Sequence, residues 1–338
     1  MRILVLVIGV LAPLLCGGAN VVQKTIQQSG GDYTSLSAWE AGRQTNCVTA
    51  DSIEMAVIQG SWSAADTTSL TINGWTTDAA RYIVITNSTS QHDGKRYDSA
   101  ANAYRLDVTG SSAITVSEDF VRIYGLQVKV SVSAASIFYG VLSGTLDVGS
   151  TITIGNCIFT SGATANGSVI AIGISDADVS FNVYNCLIHG LLINSSRAIY
   201  VGPGVVNLFN CSAVSNRWDY YWSSGTATAY NCLSQDSTTD GFVGTWGGNY
   251  NCSDRSGDAP GANSVNSYEV TFVSETAGSE DYHITSANTS IIDVTSDQSG
   301  GLFSDDIDGV TRAGSWCIGA DEYVAAGGAS IFQVITSQ

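Results

Sequence analysis

The run NRWDYYWSSG (216–225) sets four aromatic rings around one carboxylate: Trp218, Tyr220, Tyr221 and Trp222 beside Asp219, with Arg217 just before them. Exposed aromatic faces stack on the faces of sugar rings, and a neighbouring carboxylate or guanidinium binds hydroxyls. A narrowly wound chain cannot house four large rings, so some of them must face solvent, where a contiguous apolar patch marks a binding surface. Trp218, Asp219, Tyr220, Tyr221 and Trp222 are therefore candidates for carbohydrate binding, with Trp246 extending the patch one repeat further. The competing readings are an oligomer contact and plain packing over a hydrophobic flank.

Catalysis on a polysaccharide would need more. Hydrolysis uses two carboxylates about 5 to 9 Å apart. β-Elimination uses a basic proton acceptor with acidic ligands for Ca²⁺. Asp176 and Asp178 in SDADVS would point the same way on a strand, and with Asp219 and Arg217 they are the catalytic candidates. Asp236 and Asp240 lie one repeat from Asp219. All of these Asp residues suit turns equally well. Basic residues in the repeats are few (Arg122, Lys129, Arg197, Arg217 and Arg255). The expectation leans towards a non-catalytic protein, with Ca²⁺ as a cofactor only if the chain is a lyase.

No metal site is expected. The cysteines form no Cys-x-x-Cys pair, and His92, His189 and His283 are isolated and read as solvated. DDIDG fails the EF-hand frame, with Ser304 and Ser315 in ligand places, and reads as a structural turn.

Whatever positions these groups is repetitive. An Asn-Cys pair recurs at Asn156-Cys157, Asn185-Cys186, Asn210-Cys211, Asn231-Cys232 and Asn251-Cys252, in steps of 29, 25, 21 and 20 residues. The last four pairs follow an aromatic. Alternating residues lead into TITIGNC, FNVYNC, VNLFNC and ATAYNC, and VRIYGL (121–126) fits the same frame. One strand-like signature per 20–30 residues predicts a solenoid, each unit one coil of a parallel β-helix. Cys would stack inside the coil. Asn would take the left-handed bend and ladder its amide with the coils above and below.

The bulk properties agree. With 338 residues, three of them Pro, and abundant Gly, Ser, Thr, Asn and Val, the chain favours short strands and polar turns. A net charge of −17 repels phosphate backbones, so nucleic acid is not an expected partner. MRILVLVIGVLAPLLCGGAN reads as a secretory signal over 1–19, cleaved after Ala19. The expected location is therefore secreted or at the cell surface. Segments 88–103 and 254–267 read as polar loops projecting from the coils.

Two stretches carry a resemblance. DYHITSANTSIIDVTSD…DDIDGVTRAGSWCIGADEY (281–323) resembles the closing segment of many right-handed parallel β-helix proteins of the pectate-lyase-like type. The matching residues are Ile291, Ile292, Asp293, Asp306, Ile307, Asp308, Gly309, Arg312 and the run Ile318 to Tyr323. Cys317 stands where the family usually has Asp, which leaves that residue's ion pair without its usual partner. GGDYTSLSAWEA (30–41) resembles the opening segment of such helices, with Leu36 and Trp39 turned inward as a cap.

The resemblance implies one all-β, right-handed parallel β-helix over 20–323. It would have a cap region at 20–60, a closing region at 268–323 and a tail at 324–338. Members of this fold include lyases, hydrolases, esterases and non-catalytic adhesins. SIFYG (136–140) lacks the Asp of the methylesterase motif. The expected function is a secreted β-helix that binds a polysaccharide or surface glycan or builds a surface layer. A polysaccharide lyase or glycoside hydrolase is the first alternative. A virion tailspike or decoration protein, which would be a homotrimer, is the second.

Overall fold

A computed structural model describes residues 18–325 apart from 89–90, 100–101, 134 and 163–166. Most of the leader (1–17) and most of the tail (326–338) lie outside the described residues.

Each turn of the chain lays down three short strands. Ser150–Gly155, Ile158–Gly162 and Ser168–Ile174 form one turn, and Val179–Tyr184, Leu187–His189 and Arg197–Val201 form the next. Every strand pairs in parallel with its counterpart one turn away, as in Ile152↔Phe181 and Ile154↔Val183. Three parallel sheets of nine, seven and seven strands result. This is a right-handed parallel β-helix. Alternate residues of the first sheet, such as Ile152, Ile154, Phe181, Val183, Val206 and Leu208, point into one continuous core and are fully buried. Each such side chain contributes roughly 1.5–3 kcal/mol by leaving water.

The open N-terminal end is covered by the helix Leu36–Arg43. Ser35 Oγ caps it, accepting from Ala38 N at 3.1 Å, and Asp66 Oδ2 accepts from Leu36 N at 3.2 Å. Leu36 and Trp39 are fully buried, and the Trp39 ring lies 5.5 Å from that of Trp75.

The recurring Asn marks a bend. Asn156, Asn185, Asn210 and Asn231 all have positive φ, between 47° and 58°, and Gly125 takes the same place at 70°. The next residue turns inward: Cys157, Cys186, Cys211 and Cys232 are fully buried in the core. Each thiol lies against the carbonyl two residues earlier, at 3.2–3.4 Å. Burial pushes the Cys186 and Cys232 thiols well above the ordinary range, so both stay protonated.

The fifth unit departs from the expected ladder by one residue. Leu233 pairs with Cys252, and Tyr230 pairs with Asn249. Tyr250, at φ 56°, therefore takes the bend, and Asn251 takes the inward place. Asn251 Oδ1 accepts from Cys232 N at 3.0 Å, while Cys252 is turned to the other face of its sheet. A slip of one residue exchanges inside for outside.

The Asn amides also differ from the expected ladder. Only Asn231 Nδ2 reaches its neighbour, donating to Asn210 Oδ1 at 3.2 Å. Asn251 Nδ2 donates to Ala229 O at 2.8 Å and Pro260 O at 2.9 Å, and the other three hold the C-terminal segment. Asn185 Nδ2 donates to Asp305 O at 2.7 Å, Asn210 Nδ2 to Cys317 O at 3.0 Å, and Asn156 Nδ2 to Asp306 O. Residues 268–323 thus run back along the flank of the coil as a strap. Their single hairpin pairs Phe272–Ser274 with Asp281–Ile284.

The strap packs on part of the outer faces of two sheets. Ile158, Leu187, Val214, Leu233 and Cys252 pack against Phe272, Tyr282, Ile291 and Ile318. Tyr124 and Tyr184 pack against Phe303 and Trp316, with the Tyr184 and Phe303 rings stacked at 4.6 Å. Arg312, fully buried, pairs with Glu322 at 2.7 Å, so the guanidinium finds a carboxylate although Cys317 supplies none.

Neither polar segment projects freely. Ala259 is buried in the main core at the last turn. Tyr97 N donates to His189 Nε2 at 3.0 Å, and Lys95 O accepts from Tyr282 N at 3.2 Å beneath the strap. Buried backbone groups need partners, and these segments find them on the coil and the strap.

Candidate functional site

The third sheet contains the strands Ile137–Ser143, Ser168–Ile174, Arg197–Val201, Trp218–Trp222 and Asp240–Val243. Its pairing stacks Tyr139, Ile170, Arg197, Trp218 and Asp240 in one outward column, and Gly173, Tyr200, Tyr221 and Val243 in a second. Between them the register skips a position that holds Gly140, Ala171, Ala198, Asp219 and Gly241 in successive coils. An added Cβ at Gly140 would lie 2.5 Å from Ala171 O, so this column is tight.

That irregularity breaks strict alternation and decides the fate of the aromatic run. Trp218 and Tyr221 face outward and are half-buried, whereas Asp219 and Tyr220 are fully buried. The Tyr220 hydroxyl donates within the coil, 3.1 Å from Cys211 O and 2.9 Å from Leu233 O. Trp222 and Trp246 pack against the main core, with Trp246 edge-on to Tyr220 at 6.0 Å. Each indole N–H is held by a local carbonyl, Gly225 O at 3.2 Å and Val243 O at 3.1 Å. Of the six residues expected to bind carbohydrate, only Trp218 and Tyr221 form one outward surface.

Asp219 is sealed. Its carboxylate accepts from Asn216 Nδ2 at 2.9 Å and from Ser234 Oγ at 2.6 Å. Burial holds its carboxyl well above the ordinary range, and the charges of Asp254 and Asp258 add to the shift. A sugar cannot reach it, and it cannot attack one.

Asp176 and Asp178 lie in the turn between Ser168–Ile174 and Val179–Tyr184, not on a strand. Asp176 accepts from Asp178 N at 2.8 Å and from Leu146 N at 3.2 Å, the work of a turn residue. The pair is not brought to Asp219 or Arg217. Arg217 precedes Trp218, its guanidinium carbon 5.0 Å from that ring.

Residues that the sequence reading did not assign to the binding surface complete it. The Arg197 guanidinium carbon lies 4.4 Å from the Tyr221 ring, 5.3 Å from Trp218 and 5.4 Å from Tyr200. Tyr200 and Tyr221 stack at 6.1 Å, and Trp218 meets Tyr221 edge-on at 6.1 Å. An added Cβ at Gly173 would lie 2.5 Å from the Tyr139 ring, so that ring lies across the glycine. A cation among aromatic rings is held by their negative faces, which fixes both. The result is a half-exposed strip of rings with two guanidinium groups, spread over successive coils about 4.8 Å apart. The signal was available: Arg197 and Tyr200 each stand one 21-residue coil before Trp218 and Tyr221.

His189 is buried rather than solvated, and desolvation lowers it to about 4, so it remains a neutral acceptor. His92 Nε2 lies 2.8 Å from the Asn156 carbonyl.

No protein-family profile matches the chain, and no curated protein matches it. Among solved structures, the crystal structure of pectate lyase Pel9A aligns over 91% of this chain and 98% of its own, with 13% sequence identity and a TM-score of 0.36.

Proposed function

We propose that this chain is a non-catalytic β-helix whose third sheet binds a polysaccharide or surface glycan on its outer face. The observation that carries the reading is the cluster of Tyr200, Trp218 and Tyr221 around Arg197, rigidly spaced by strand pairing. Rings fixed on a sheet lose little entropy when a ligand stacks on them, so little of the contact energy is spent on ordering. Two further features support the reading. The strap lies on part of the outer face of each of the other two sheets. Two of the carboxylates considered for hydrolysis are engaged elsewhere, Asp219 inside the coil and Asp176 in a turn. Export to the cell exterior fits such a role.

Retention on a panel of immobilised polysaccharides tests it. Trp218→Ala and Tyr221→Ala should abolish retention with the fold intact by circular dichroism. Unchanged retention in both variants would remove the proposal. Release of new reducing ends or unsaturated sugars from the panel would replace binding with catalysis.

A further inference from the structure

The strap brings together three residues that are far apart in the sequence. His283 lies in the hairpin strand Asp281–Ile284, Asp308 in the turn after Asp305 and Asp321 in the final run. The ligand atoms of the three lie within 4.8 Å of one another. His283 Nδ1 is 2.8 Å from Asp281 Oδ1, which makes Nδ1 the donor and turns Nε2 to the other side of the ring. Nε2 is a buried atom without a hydrogen-bond partner. It faces Asp308 Oδ2 at 3.6 Å and Asp321 Oδ1 at 3.9 Å, too far for a hydrogen bond.

Two carboxylates this close to one imidazole nitrogen call for positive charge between them, either a proton on Nε2 or a metal ion. Both separations from Nε2 are below twice a metal–ligand bond of about 2.1 Å, so a small inward shift of the carboxylates lets one ion touch all three atoms. The remaining bonds hold the ligands in place. Asp321 Oδ2 accepts from Ile284 N at 2.8 Å, leaving Oδ1 free to turn inward. The carboxylate behind the imidazole orients it as outer partners of metal-bound histidines do. Gly94 roofs the space: an added Cβ there would lie 3.0 Å from both His283 Nε2 and Asp308 Cβ. Nearby, Lys95 is paired to Asp93 at 3.2 Å, and Arg312 is turned to Glu322.

We propose that His283, Asp308 and Asp321 bind one divalent transition-metal ion of the zinc class. The donor set is one imidazole nitrogen and two carboxylate oxygens, with water completing the tetrahedron. The ion ties three parts of the strap together beneath the 91–99 segment, and its role is to lock the strap rather than to activate a substrate.

The test uses the full chain, stripped with chelator and titrated with Zn²⁺ by calorimetry, with thermal unfolding followed in parallel. The wild type should bind one ion per chain and melt at higher temperature with Zn²⁺. Asp308→Asn, at an exposed position that should tolerate the change, should bind at least tenfold more weakly and lose the shift in melting. His283→Gln should do the same. Equal Zn²⁺ binding in the wild type and Asp308→Asn, or no binding to the wild type at 100-fold molar excess, would overturn the proposal. So would Ca²⁺ binding tighter than Zn²⁺, which an imidazole donor disfavours.

Discussion

Arg312 Nη2 donates to Asn185 Oδ1 at 3.2 Å, joining residues 127 positions apart. The same guanidinium donates to Gly319 O at 3.0 Å, to Ala320 O at 2.9 Å and to Glu322 Oε2 at 2.7 Å. It holds the strap in shape and fixes it to the bend of a coil. Removing it leaves the buried Glu322 carboxylate without its ion-pair partner, with the Cys317 N–H still donating to it. Arg312→Met should cost about 3–5 kcal/mol, read as a lower urea midpoint, with faster proteolytic cleavage in 268–323.

Asp219 gives a pH-dependent prediction. Its folded carboxyl is raised, so between the ordinary value near 4 and the raised value the folded state holds a proton that the unfolded state has lost. Its contribution to stability is therefore present at low pH and falls as pH rises through that window. Asp219→Asn keeps both hydrogen-bonding neighbours and removes the titration. Urea melts should show the variant gaining on the wild type from pH 5 to pH 8, and a constant difference would refute the assignment.

The two tryptophans that the sequence treats alike should separate. Trp218 faces outward, so Trp218→Ala should lose glycan retention with little change in stability. Trp222 packs against the core, so Trp222→Ala should cost roughly 2–4 kcal/mol and leave retention unchanged. Parallel melts and gel retention on both variants decide it.

The thiols at 157, 186, 211, 232 and 252 are all fully buried. Reactivity follows thiolate character and access, so none of the five should be alkylated in the native state. All should react once the chain unfolds, as mass spectrometry of peptides would show. Rapid native labelling of Cys252 would contradict its place under the strap.

Tyr220→Phe removes a hydroxyl that bonds two carbonyls inside the coil. A loss of about 1–3 kcal/mol is expected, with no change in glycan retention because the ring lies inside.

The sequence by itself determined the coil. A 20–30-residue period with an aromatic, an Asn and a Cys needs only local rules: strand alternation, an Asn that tolerates positive φ, and a small apolar side chain that fits inside. These placed four of the five Asn-Cys units, while the inward cap residues Leu36 and Trp39 came from the resemblance of GGDYTSLSAWEA to the opening segment of such helices. Tertiary structure decided the rest. The last coil pairs Tyr230 with Asn249 and lays Pro260 O against Asn251 Nδ2, so Asn251 went in and Cys252 went out. The small-residue column through Ala198 and Gly241 turned Asp219 inward and left Trp218 with Tyr221 outside. The return of the strap gave the Asn amides their partners and set His283 between two carboxylates. Pairing across a hundred residues leaves no trace in local spacing, because the contacts form only when the wound coil offers the strap a surface on which to lie.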